Sequence, residues 1–87
     1  MITHVAIRYA GKIYSLPATA RHHHVLAEIE KEHPGLSYDP QDDDEGFLTS
    51  DGVYLTREEA VDYAIQAGQI SDRIKVYGDM LFSEDLW

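Results

Sequence analysis

The sequence predicts an α+β domain: an antiparallel β-sheet with two helices packed on one face, in the order ββα, ββα, β. Three observations predict it. Two stretches alternate apolar and polar residues about turn residues, two others carry apolar residues at helical spacing, and 87 residues with 44% hydrophobic content suffice for one small core. A chain this short buries only about 60 to 65% of its unfolded surface, so residues 1–87 are expected to form a single domain without a deep private cavity.

The first strand pair is read from ITHVAIRYAGKIYSL, residues 2–16. Gly11 marks the turn, and Ile2, Val5, Ile7, Tyr9, Ile13 and Leu16 are the expected inward positions. Pro17 breaks the strand, and Thr19 is the expected cap of the first helix. In that helix His22, Val25, Leu26 and Ile29 fall at i, i+3, i+4 and i+7, which defines a buried stripe, and Gly35 stops it. Residues 36–46, LSYDPQDDDEG, have no periodicity and read as an exposed loop.

Asp51-Gly52 then separates two short β-prone runs, the strongest hairpin signal in the chain. Thr56 and Glu59 have the spacing of a capping box. Ala60, Val61, Ala64 and Ile65 make the second helical stripe, which Gly68 ends. A last strand is expected around residues 73–77. Leu81, Phe82, Leu86 and Trp87 are expected to dock the tail as an aromatic cover on the small core.

Seven Lys and Arg stand against sixteen Asp and Glu, a net charge of −9. A phosphate-backbone contact needs a clustered cationic surface, so direct nucleic-acid binding is not expected. The chain has no cysteine, which removes disulfides and thiolate zinc sites and fits a reducing cytosol. No apolar run approaches the roughly 18 residues that span a bilayer, and the first residues lack a charged-then-apolar leader. The expected setting is the cytosol of a host bacterium, with no membrane partner.

TARHHHVLAEIEKEHPG, residues 19–35, poses the functional question. Neighbouring helix positions point about 100° apart, whereas a helical chelate wants i and i+4, and His33 lies about 16 Å along the axis from His22. No metal and no cofactor is expected. The histidines are then either ordinary helix surface, with His22 beside the core and His23 and His24 solvated, or part of an anion-binding rim. The rim reading rests on the cations. Arg21 falls in the first turn of helix one and Arg57 directly after the Thr56 cap of helix two, both at ends where the helix dipole disfavours positive charge. Free amides with Arg and His donors make anion sites, so Arg21, His22, His23 and Arg57, with the hydroxyls of Thr49 and Ser50, are the candidate ligand-binding set for a phosphate. The competing expectation pairs Arg57 with Glu58 or Asp62, and Arg21 with Glu28.

Asp42, Asp43, Asp44 and Glu45 before Gly46 invite a calcium reading, but the closing glutamate position of an EF-hand loop falls on Gly52. The run is read as a solvated loop or a partner-facing acidic surface. Ser83, Glu84 and Asp85 are candidates to orient the histidines from behind. With no G-x-S-x-G elbow, phosphate-loop glycines or cysteine nucleophile, the reading leans against an enzyme and names no catalytic residue.

RHHHVL, EGFLTSDGVYLTREEAVDYAIQAGQ and the terminal LFSEDLW resemble a family of short proteins of phages, prophages and related mobile elements. Those proteins carry an Arg-His-His element, a Gly-Phe-Leu-Thr-Ser turn, an Arg-Glu-Ala helix ending in Ala-Gly-Gln, and a Ser-Glu-Asp-Leu-Trp end. The resemblance covers about two thirds of the chain and implies a genomic setting more than an activity. It marks Arg21, His22, His23, Gly46, Phe47, Thr49 and Ser50, then Arg57, Glu58, Gln69, Ser83, Glu84, Asp85 and Trp87. The loop from His33 to Glu45 is longer and more acidic than the family pattern, and His24 is an extra histidine.

Two functions follow as alternatives. One is a phage accessory protein that sequesters a small phosphate-bearing ligand, such as a nucleotide signal of host immunity, and so antagonises host defence. There, Arg57→Ala is expected to abolish binding with the fold intact. The other is an acidic inhibitor whose residues Asp42 to Glu45 cover the basic nucleic-acid-binding face of a host defence complex. Edge strands in so small a domain also point to a homodimer or higher homo-oligomer.

Overall fold

The computed structural model describes residues 1–35, 44–70 and 80–87. Ala10 and Gly11 both have positive φ, 53° and 77°, as a tight two-residue hairpin requires. They fold β1 (Ile2–Tyr9) onto β2 (Lys12–Pro17). A period of two cannot bury both Ile2 and Val5. The pairing of β1 with β3 (Glu45–Thr49) resolves this, since Ile2 pairs with Thr49 but His4 with Leu48, a bulge of one extra residue on β1. Beyond it Val5 and Ile7 face the core, opposite Leu16 and Tyr14 of β2. Ile13 pairs with Arg8 on the other face and is 43% exposed, so its expected inward position is taken by Tyr14.

A turn through Gly52, at φ 81°, joins β3 to β4 (Tyr54–Thr56). The sheet is antiparallel throughout, in the order β2-β1-β3-β4. The fold class is α+β, as the sequence predicts, with α1 (His22–Glu32) over β1 and β2 and α2 (Arg57–Gln66) over β3 and β4. Val5, Ile7, Val25, Ile29, Phe47, Val61 and Leu81 are fully buried between them. The strand expected at 73–77 lies outside the described residues.

α1 begins later than the Thr19 cap predicts. The Ala18 amide donates to the Thr3 carbonyl and the Ala20 amide to the Pro17 carbonyl, so the chain stays tied to the hairpin until Arg21, which becomes the extended N-cap. His24 Nδ1 accepts the Arg21 amide at 2.9 Å, the task a glutamate performs in an ordinary capping box. At α2 that box forms as predicted: Thr56 Oγ1 accepts from the Glu59 amide at 3.2 Å, and Glu59 Oε1 from the Thr56 amide at 2.9 Å.

The end of α2 is a left-handed stop. Gly68 has φ 73°, its amide donates to Ile65 and the Gln69 amide to Ala64, which satisfies the last carbonyls. This aims the Gln69 side chain at β1, where it donates to the Ile2 carbonyl and accepts the Ile2 amide, both at 2.7 Å. No helix among the described residues is long and apolar enough to cross a membrane.

Candidate functional site

Consecutive residues of β3 bring the two helix N-termini together. Gly46 takes the first: His22 Nε2–H donates to its carbonyl at 2.8 Å, and the ring meets Phe47 edge-on with centroids 5.1 Å apart. Glu45 takes the second, accepting from Arg57 Nη2 at 2.6 Å. Only glycine fits at 46, because a Cβ there would overlap the Leu55 carbonyl oxygen and sit 2.8 Å from Tyr54 Oη.

Arg57 is 7% exposed, and both terminal nitrogens of its guanidinium make hydrogen bonds. Besides Glu45 it donates through Nη1 to the Leu81 carbonyl at 2.7 Å and stacks 4.6 Å from the Phe82 ring centroid, while its own carbonyl accepts the Leu81 amide. The expected partners Glu58 and Asp62 are replaced by Glu45 and the tail. The cation disfavoured by the α2 dipole is thus compensated by a half-buried carboxylate, an ion pair that ties Glu45 of the acidic run to α2.

The tail closes this clasp. Leu81 and Ser83 are buried, and the Trp87 indole donates to the Ala20 carbonyl at 2.9 Å, beside the α1 cap. Asp85 Oδ2 accepts the Phe82 amide within a single 3-10 turn, Ser83–Asp85, and so holds the tail rather than a histidine. Of the three tail residues expected behind the histidines, Glu84 is the one whose charge reaches His22. His22 titrates below the ordinary histidine range, chiefly because burial disfavours its charged form and also because of Arg57, against the opposing pull of the Gly46 carbonyl, Glu45 and Glu84. At neutral pH it is an uncharged donor.

Arg21 differs from Arg57. Its Nη1 is buried and has no hydrogen-bond partner among the described residues, and the expected partner Glu28 pairs instead with Lys31 at 3.1 Å. His23 and His24 are exposed, their ring centroids 4.1 Å apart. The start of β3 therefore brings His22 and Arg57 near each other, while Arg21 and His23 flank His22 along the chain.

The two hydroxyls of the candidate set lie elsewhere. Thr49 and Ser50 sit at the far end of β3, about 10 Å along the strand. Thr49 Oγ1 accepts the amides of Val53 and Asp51 in the hairpin turn, and Ser50 Oγ accepts from the Met1 ammonium at 3.3 Å. Of the acidic run, Asp42 and Asp43 lie outside the described residues, and the Asp44 carbonyl accepts the Arg8 amide at 2.7 Å.

All of residues 1–87 match the family described as phage T4 y16D protein. The chain belongs to that family. No curated protein and no solved structure matches it.

For this y16D-family protein the clasp residues that sequence reasoning missed are Glu45 and His24. Glu45 reads as part of the acidic run, and its one distinguishing signal is that it directly precedes Gly46, where a side chain would clash with β4. His24 stands three residues after Arg21, the spacing of a capping partner, which a histidine fills here in place of the usual acid. Among the described residues no three His, Asp or Glu side chains converge as a metal site would need.

Proposed function

We propose that this phage protein captures a small phosphate-bearing anion at the N-terminus of α1, with Arg21 as the cation and His23 and the first amides of the helix as donors. The observation that carries the proposal is the Arg21 Nη1 nitrogen, buried without an acceptor. Leaving a charged donor desolvated and unpaired costs more than an ordinary hydrogen bond returns, so the site lacks an acceptor group. The amides and dipole of a helix N-terminus favour that acceptor being anionic. Arg57, neutralised by Glu45, builds the wall of this site, and His22 donates to Gly46 rather than to the ligand. In a phage protein, sequestering a nucleotide signal of host immunity gives such a site an anti-defence use in the host cytosol.

Arg57→Ala is the wrong probe of this reading, since Arg57 holds the tail. Arg21→Ala is the right one. Isothermal titration with inorganic phosphate, then with mono-, di- and cyclic nucleotides, is expected to show saturable binding that Arg21→Ala weakens by at least about tenfold, the loss typical of one charge-assisted contact. Equal binding by the variant, or none by the wild type, overturns it.

A second reading draws on the acidic surface, because Glu58, Glu59 and Asp62 are exposed along the N-terminal half of α2 in a chain of net charge −9. It makes the protein an inhibitor that covers a basic host surface. Capture of a host complex should then fade with rising salt and fail when Asp42, Asp43 and Asp44 are neutralised together. Unchanged inhibition by that triple variant removes this alternative.

A further inference from the structure

We propose that the protein self-associates through the outer edge of β2, a second copy adding its own β2 antiparallel across a two-fold axis so that the two α1 helices flank the axis. β2 and β4 are the edges of the described sheet. β4 has three residues and β2 six, so β2 is the edge long enough to template another strand.

The hairpin dictates which groups face outward. A two-residue turn makes Tyr9 and Lys12 a hydrogen-bonded pair, so Tyr14 and Leu16 also bond inward to β1, while Ile13 and Ser15 present amide and carbonyl to the outside. Among the described residues nothing pairs with them. Beside this edge runs a groove of about 260 Å³ between β2 and α1, with Leu16 and Val25 in its lining and Lys12, Glu28, Lys31 and Glu32 at its rim. Ile13, 43% exposed at the same edge, is apolar surface that a second strand would cover.

Charge selects the occupant. At −9 the chain repels a second copy over most of its surface. The groove rim is locally balanced, with two lysines against two glutamates, Lys31 3.1 Å from Glu28 and Lys12 3.5 Å from Glu32. A two-fold axis turns α1 end for end, bringing Glu28 of one copy towards Lys31 of the other and the reverse, so the rim is complementary to itself. A strongly acidic or basic peptide finds no net opposite charge on it. Pairing two β2 edges also closes the sheet on that side and leaves no free six-residue edge for open-ended association.

Sedimentation velocity of the full chain over a wide concentration range tests this. The wild type is expected to reach twice its monomer mass. Ser15→Pro removes an outward amide without touching the β1 ladder, and Lys31→Glu sets like charges across the axis. Each is expected to weaken association by about tenfold or more, and Glu28→Lys with Lys31→Glu should restore it. If Ser15→Pro fails to fold by circular dichroism, the charge variants decide alone. A wild type that stays monomeric, or an assembly indifferent to Lys31→Glu, overturns the proposal. Arg21→Ala should leave the mass unchanged, so failure of the anion site and failure of this interface are separable.

Discussion

The two ends of β3 solve the same problem with opposite chemistry. Each must tie a helix and a remote chain segment to the sheet. At the start, Glu45 and Gly46 do so through a half-buried ion pair, a neutral histidine and the aromatic tail. At the far end, Gln69 meets the Ile2 main chain through its amide, and the exposed Met1 ammonium donates to the hydroxyls of Ser50 and Tyr63, at 3.3 and 2.7 Å, with no carboxylate partner among the described residues. The difference teaches what a cation at a helix N-terminus signifies. Arg57 gives its donors to a half-buried carboxylate and a main-chain carbonyl, so its charge is paired within the fold. Arg21, at the neighbouring helix, has a donor left over.

The comparison breaks most severely at Arg57. Arg57→Ala leaves the half-buried Glu45 carboxylate and the Leu81 carbonyl without their donor and releases the tail, a loss of about 2 to 4 kcal/mol, below the full penalty of a buried pair because Glu45 retains some solvent. Urea unfolding at neutral pH measures it. A loss under about 1 kcal/mol would mean the pair is hydrated and the clasp is ordinary surface. At the other end Gln69→Ala removes two hydrogen bonds to Ile2 but strands no charge. About 1 to 2 kcal/mol is expected, read from the same unfolding curves. If the two variants cost alike, the contrast between the ion-paired end and the hydrogen-bonded end fails.

The smallest effect sharpens the role of His22. Its folded pKa lies below the unfolded value, so the unfolded chain binds the proton more readily. The contribution of His22 is therefore complete above the unfolded pKa and is lost as pH falls from there through the lower folded value. Subtracting the stability profile of His22→Gln, which keeps a donor for Gly46, from that of the wild type should leave a difference that shrinks as pH falls below about 6.5. A flat difference would place the ring in water rather than against Phe47.

Much of the frame was legible in the residues themselves. Alternation about Gly11 and Asp51-Gly52, the Thr56 and Glu59 spacing, and the stripes through Val25, Ile29, Ala60, Val61 and Ala64 are local signals, and local backbone physics answers them without help from the rest of the chain. The docking of LFSEDLW was legible too, because a small core needs an apolar cover. Three details were not. The bulge after Ile2 depends on what β3 offers opposite it. The late start of α1 depends on Thr3 and Pro17 holding residues 18–20. The inward position of Tyr14 over Ile13 depends on the register with β1.

The site divides along the same line. That Arg21 and Arg57 are unusual at helix starts is a property of sequence position alone, since the dipole is set by the helix each begins. Only the tertiary structure decided that one is spent on Glu45 and Leu81 while the other retains an unpartnered nitrogen, and that Thr49 and Ser50 stand a strand's length from both. Pairing of charges depends on distance and burial, and neither quantity is written in the order of the residues.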